Sequence, residues 1–325
     1  MKLPRRRFLQ LAAGAAALPV ISAPAVALDY PSRPVRIVVG YPAGGVSDIL
    51  ARLVGQRLSE RLGQSFIIEN RPGAGSNIAT EFVTRAPPDG QTLLLVGVAN
   101  AINVTLYPDL RFNFIRDIAP VALIERAPMV MVVHPSVPAA TVPAFIAWAK
   151  ARPGAVNMAS AGTGGGTHVA GELFKMMAGV DLVHVPYHGS PPALTDLLAG
   201  QVHVMFDNIA SSIELIRTGR LRPLAVTAAA RVPQLPDLPP VGDFVPGYEA
   251  SGWNGVGAPR NTPAEVIDLL NREINAALSE PGMQARLADL GGTAAPASPS
   301  AFGKLIVEET EKWTRVVKFA GIKPG

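Results

Sequence analysis

Three glycine-rich turns carry the densest potential for ligand chemistry in this sequence. They read GYPAGGVSD at residues 40–48, NRPGAGSN at 70–77 and SAGTGGGTH at 160–168. Each follows a strand-like run and precedes a helical pattern. Glycine lets main-chain N–H groups approach a ligand closely, and the start of the next helix adds partial positive charge. In a sheet whose strands run parallel, such turns gather at the strand ends, where open α/β folds bind ligands. None carries the Gly-Lys-Ser/Thr of a phosphate loop, and Gly40, Gly44 and Gly45 do not fit the dinucleotide pattern. Glu69, at the end of the second strand-like run, keeps a ribose-binding alternative open. Arg71 and His168 are the only basic residues in the three turns. Neutral donors of this kind suit a carboxylate or a small polar molecule better than a polyphosphate.

The acids and histidines near these turns divide between structural and functional roles. Asp48 follows Ser47 in a first helical turn, where it either favours the helix dipole or accepts a hydrogen bond from a ligand. Asp207 ends an apolar strand before NIASS and suits an ammonium or hydroxyl better than a second carboxylate, because like charges repel. His184 and His188 are four apart, but VHVPYHG is strand-like and interrupted by proline, so helical metal-ligand spacing does not apply. His134 beside Pro135 and His203 in an alternating strand read as structural, and His168 as a cap or a cleft contact. No G-x-S-x-G elbow accompanies them, and the sequence offers no metal site, no cofactor motif and no visible set of nucleophile, base and orienting group. Tyr41 reads as a wall of the site or as packing over the sheet edge. Trp253 reads as hinge or core packing.

The elements that must position these groups alternate along the chain. Strand-like runs fall at 35–39, 66–69, 92–97, 129–134, 156–159, 182–185, 202–207 and 224–227. Helical patterns lie at 46–62, 77–85, 144–151, 167–178, 193–199 and 211–218. The strands are short and nearly all apolar, as expected of parallel sheets buried on both faces under helices. A proline-rich connection at 231–248 follows. After it come the strand-like SGWNGVGAP and helices at 263–279, 282–290 and 299–319, with Thr262 and Ser298 placed to cap the first and last of these. A helix-rich tail of this kind is expected to return to the first unit. The expected layout is therefore a first lobe at 28–128 completed by 250–325, and a second lobe at 129–249, with crossings near Met129 and Ala250.

The chain has 325 residues, 48% of them hydrophobic, enough for two domains. Residues 1–27 read as an export leader: a basic start, a short apolar run interrupted by Pro19, and Ala25-Val26-Ala27 for cleavage. Arg5-Arg6-Arg7-Phe8-Leu9 looks like a twin-arginine signal, though Pro4 and Gln10 fall outside the usual pattern and a general secretory leader fits equally. Removing the leader takes four basic residues and no acids, leaving 25 of each sign. No basic stripe remains to suggest nucleic acid. The absence of cysteine excludes disulfides, thiolate metal sites, a cysteine nucleophile and a lipid-anchored N-terminal cysteine. A soluble periplasmic protein, not a lipoprotein, is the expectation.

Long stretches resemble the receptors of tripartite tricarboxylate transporters, the Bug-type solute-binding proteins. They include YPSRPVRIVVGYPAGGVSDILARLVGQRL, NVTLYPDLRFNFIRDIAPVALI, VPYHGSPPALTDLLAGQVHVMFDNIAS and GVGAPRNTPAEVIDLLNREINAAL, in order over essentially the whole chain after the leader. The resemblance implies an α/β, two-lobed Venus-flytrap receptor (type II-like), each lobe a mainly parallel sheet flanked by helices. Such a receptor is a monomer that closes over a small organic acid and presents it to the transporter's membrane components, without catalysis or cofactor. Carried onto this sequence, ligand contacts would come from Tyr41, Ala43, Gly44, Gly45, Ser47, Asp48, Ser76 and Asn77 in one lobe. The other lobe would supply Ser160, Gly162, Thr163, Gly164, Thr167 and Asp207. Asn100 and His188 would also face the cleft; the family commonly has histidine at the first and a lysine or arginine at the second. Lack of a fixed cation at His188 implies a monocarboxylate or another ligand of low charge. A periplasmic hydrolase, a nucleotide-dependent enzyme, or a receptor serving a sensor are the alternatives on the same scaffold.

Overall fold

The structure, a computed structural model, describes residues 30–324. The expected leader lies outside the described residues. In β1 (Val35–Val39), the side chains of Val35, Ile37, Val38 and Val39 have no exposed surface, as a strand covered on both faces requires. The chain turns at the first glycine cluster into α1 (Val46–Leu62), which packs its Leu50, Ala51, Val54 and Leu58 stripe against the sheet. Burying Leu50, Val54 and Leu58 contributes about 1.5–3 kcal/mol each. The helix stops at Gly63, which takes the left-handed conformation and donates its N–H to Ser59 O.

β2 (Phe66–Asn70) and β3 (Thr92–Gly97) flank β1, and both run parallel to it. α2 (Asn77–Thr84) lies between β2 and β3 in sequence, and α3 (Val98–Leu106) leaves β3 directly. After the single turn α4 (Phe114–Asp117) comes β4 (Ile118–Ala127), the longest strand. Only Pro128 separates β4 from β5 (Met129–Val133), which belongs to another sheet.

The second sheet orders its strands β7-β6-β8-β5-β9: β6 (Asn157–Ser160), β7 (Val183–Pro186), β8 (Val204–Asn208) and β9 (Arg222–Val226). Its helices are α5 (Val142–Lys150), α6 (Gly166–Ala178), α7 (Ser190–Leu198) and α8 (Ile209–Arg217). β10 (Gly252–Pro259) then enters the first sheet between β4 and β3. α9 (Ala264–Leu278), α10 (Pro281–Asp289), the short β11 (Thr293–Ala294) and α11 (Pro299–Ala320) complete the described chain. The first sheet therefore reads β11-β4-β10-β3-β1-β2.

Each sheet is mixed. β10 runs antiparallel to β3 and β4, and β5 runs antiparallel to β8 and β9. β5 and β10 each arrive from the opposite sheet, so no βαβ crossover constrains their direction, and the short β11 also runs antiparallel to β4. β10 also requires glycine: a Cβ at Gly255 would lie 2.4 Å from Phe302 Cζ and 2.6 Å from Ala122 O. Ser298 caps α11 by accepting from Ala301 N at 3.2 Å. Thr262 does not cap α9, because its hydroxyl donates to Pro259 O within its own turn.

The two crossings lie side by side. Met129 N donates to Thr227 Oγ1 at 2.8 Å, Thr227 N to Met129 O at 2.8 Å, and Ala250 N to Thr227 O at 3.0 Å. α11 spans both units, packing on α3 and β4 of the first and on α6 of the second. Beneath the crossings Glu309 Oε2 accepts from the buried indoles of Trp253 (3.1 Å) and Trp313 (2.9 Å). Lys312 joins Glu309 to Glu249 on the returning connection, at 2.5 and 3.0 Å.

Candidate functional site

A cleft of about 420 Å³ opens between the sheets. Four helix starts meet there: Val46 and Ser47 of α1, Val98 and Ala99 of α3, Gly166 and Thr167 of α6, and Ile209 to Ser211 of α8. Each follows the carboxyl end of a strand, so local β-strand–turn–helix order alone brings four positive dipole ends into one space. At α1, α6 and α8 no side chain caps the helix start, leaving first-turn N–H groups for another partner. Glycine precedes α1 and α6 in extended conformation, at Gly45 and Gly165.

The remaining polar groups mostly shape these turns. Asp48 is buried; its carboxylate accepts from Gly44 N, from Arg52 Nε and Nη2, each at 2.9 Å, and from Asn70 Nδ2 at 3.0 Å. The Arg52 guanidinium holds its carboxyl down to about 2. Asn100 Oδ1 accepts from Gly97 N (2.9 Å) and its Nδ2 donates to Thr80 Oγ1 (3.0 Å), so it caps α3 from beneath. Thr167 lines the cleft while its Oγ1 accepts from Ala161 N at 2.9 Å. Asp207 is fully buried between the hydroxyls of Ser190 (2.5 Å) and Ser212 (2.7 Å), and burial pushes its carboxyl up.

Of the residues expected at the ligand, Tyr41, Ser47 and Thr167 line the cleft. Ala43, Gly44, Gly45 and Asp48 form the turn behind the first two; Gly162, Thr163 and Gly164 form the one behind Thr167. Ser76 and Asn77 are buried beside α3, with Ser76 Oγ and Asn77 Nδ2 unpartnered. Asn100, Ser160, His188 and Asp207 are not among the lining residues, and His188 is exposed.

A serine–histidine pair was not legible in the sequence. Ser160 Oγ lies 2.6 Å from His184 Nε2, and the His184 ring stacks on His168 at 3.5 Å between centroids. Burial, with His168 beside it, brings His184 down to about 4. Ser160 is wholly buried, and the nearby carboxylate of Glu172 pairs with His168 (3.6 Å) and Lys175 (2.9 Å) instead of His184. A nucleophile sealed from solvent, with no orienting acid on its base, is a strut within the second unit.

The cleft floor was missed as well. Glu125, Ala127, Pro128 and Met129 come from the first crossing, Gly252, Trp253 and Asn254 from β10, and Leu290 and Gly291 from the turn before β11. Glu125 is the only charged residue among those lining the cleft. The motif ERAPM held a signal, an acid ending an apolar run just before a proline, but its partner Asn254 is 129 residues away. Among the described residues no group of three histidines or acids is placed to hold a metal ion, and no helix is long and apolar enough to cross a membrane.

The description "Tripartite tricarboxylate transporter family receptor" matches residues 50–322. The chain belongs to this family. Among relatives of this receptor is a protein encoded in the tcbD–tcbE intergenic region of Pseudomonas sp. strain P51, 38% identical over 316 residues that cover 96% of this chain and 94% of that one. An R. palustris protein solved with adipate is 39% identical, with a TM-score of 0.76 over 91% of this chain and 100% of the other. MatC from Rhodopseudomonas palustris, solved with bound malate, is 32% identical, with a TM-score of 0.72 over 89% and 100%. The two-sheet α/β architecture of this transporter receptor is that of its solved relatives.

Proposed function

We propose that this receptor works in the periplasm as a monomer, capturing a small carboxylate-bearing molecule in the cleft for the membrane components of a tripartite tricarboxylate transporter. The observation that carries the reading is the convergence of uncapped helix starts from both sheets on one space whose lining holds no lysine, arginine or histidine. Main-chain N–H groups would hold the carboxylate, with Tyr41, Ser47 and Thr167 beside it and the unpartnered Ser76 Oγ and Asn77 Nδ2 in the neighbouring turn. The solved relatives with adipate and malate support an acid as the ligand. Residues 30–128 with 250–324 would move as one lobe and 129–249 as the other, pivoting at the paired crossings. Ligand contact with both would favour the closed form.

A thermal-shift panel of mono-, di- and tricarboxylates, with mass spectrometry of molecules that co-purify, tests this. A carboxylate that raises Tm at micromolar concentration and is recovered unchanged supports the reading. Recovery of a nucleotide, or conversion of the added acid, overturns it.

A further inference from the structure

The cleft floor holds one polar pair that capture of a carboxylate by helix starts does not use. Glu125 is 1% exposed, and its Oε1 accepts from Asn254 Nδ2 at 2.9 Å. Its Oε2 has no partner and rests against the Gly292 main chain, where a Cβ would lie 1.9 Å away. The Gly292 N–H is itself engaged with Leu287 O. An ionised carboxylate only accepts, so it draws the NH₂ of Asn254 toward itself and fixes which end of the amide faces away. That end is Asn254 Oδ1, an acceptor beside Gly97 in the cleft wall, with no protein donor of its own.

We propose that Asn254 Oδ1, oriented by Glu125, selects ligands that carry a hydrogen-bond donor, a hydroxyl first of all, over otherwise identical acids that lack one. This rests on the carboxylate reading above and deepens it. Asn254 touches the ligand; Glu125 is a positioning residue that acts through it. A site built to meet a donor discriminates strongly against the analogue lacking it, because a ligand without the donor covers the acceptor and leaves it unpaired.

Orientation depends on the charge of Glu125. Burial raises its carboxyl to about 7. Once protonated it can donate to Asn254 Oδ1, and the amide loses its reason to point one way. The neighbouring charges are occupied elsewhere. Arg126 of β4 pairs with Glu249 at 3.7 Å, Glu309 and Lys312 of α11 bind each other and the indoles, and Arg286 and Asp289 of α10 lie 3.9 Å apart. Glu273 of α9 pairs with Arg61 and Arg272, and Glu214 of α8 with Arg217. β10 and β11 carry no charged residue.

The test is calorimetric titration of the full receptor with three pairs differing by one hydroxyl: lactate and propionate, malate and succinate, 3-hydroxyadipate and adipate. For the pair that binds, the hydroxy acid is expected to be favoured at least tenfold at pH 8.5, falling to threefold or less at pH 5.5. Asn254→Leu removes the preference for the hydroxy acid at both pH values. Glu125→Gln, which keeps an acceptor but cannot ionise, makes the ratio independent of pH. A wild-type ratio below threefold at pH 8.5, a pH-independent wild-type ratio, or a preference surviving in Asn254→Leu overturns the proposal. If none of these acids and no carboxylate of the thermal-shift panel binds, the carboxylate reading falls and takes this inference with it; equal binding of both members overturns this inference alone.

Discussion

Replacing Glu309 by alanine should be among the most damaging single changes outside the cleft. Its Oε2 receives two indole N–H groups, from Trp253 at 3.1 Å and Trp313 at 2.9 Å, and both tryptophans are 1% exposed. Neither donor can reach water once the carboxylate is gone, and each buried unpaired donor costs about 1–3 kcal/mol. Lys312 loses one carboxylate and keeps Glu249 at 3.0 Å, so no charge is left bare. The sum is about 2–6 kcal/mol, reaching into the tail of single-residue effects. At about 2–4 °C per kcal/mol for a chain of this size class, Tm should fall by about 10 °C, measured without ligand at fixed protein concentration. Glu309→Gln retains a carbonyl oxygen for the indoles and should lose about 1 kcal/mol or less. Tryptophan emission reports the site directly, since two of the chain's three tryptophans bond this one oxygen. A Glu309→Ala protein melting within about 2 °C of wild type would refute the reasoning that these donors depend on Glu309.

Gly166→Leu should fold normally and lose ligand. A Cβ there meets nothing within 4 Å, the backbone is not left-handed, and the new side chain enters the cleft at the start of α6. Affinity for the ligand found in the thermal-shift panel should drop by about 100-fold, about 2.7 kcal/mol, by calorimetry. Asp207→Ala strands the hydroxyls of Ser190 and Ser212 and should cost about 2–4 kcal/mol in urea unfolding, whereas Asp207→Asn should cost less. His184 and Glu125 give opposite pH signatures. The unfolded chain protonates His184 near 6.5 but the folded chain only near 4, so its contribution is complete above 6.5 and is lost as pH falls toward 4. Glu125, raised to about 7, contributes most below 4.5 and loses stability as pH rises through 7. His184→Gln should therefore gain about 1–2 kcal/mol relative to wild type between pH 7.5 and 4.5, discounted for partial exposure of the ring, in paired thermal melts. An unchanged difference across that range would count against a buried neutral His184.

Where local pattern decides structure, the sequence was readable to the residue: β1 and α1 have the bounds their apolar spacing implies. β4 was not seen. Pro120 interrupts its apolar run, and the strand survives because the pairing with β10 shifts register between Val256 and Gly257, opposite that proline. α3 was hidden by Asn100 and Asn103, poor helix formers whose amides serve Gly97, Thr80, Asn77 and Gly75 instead. The direction of β5 and β10 is a tertiary fact, set by where the chain comes from. The candidate site divides the same way. Two of its walls, the starts of α1 and α6, were visible because each belongs to a contiguous strand–turn–helix unit. The floor was not, because Glu125 and Asn254 meet only when β10 enters the first sheet.

The adjoining crossings, Ala127-Pro128-Met129 and the segment leading into Gly252-Trp253-Asn254, are at once the floor of the cleft and the links between the two sheets. Anyone redesigning this protein as a biosensor inherits that overlap. Retuning selectivity at the floor would also change the stiffness of the links and thus the gain of the device. Retuning at the helix starts, at Val46, Val98 or Ala210, would alter what is recognised without touching the links. A reporter dye belongs on the rims, away from both.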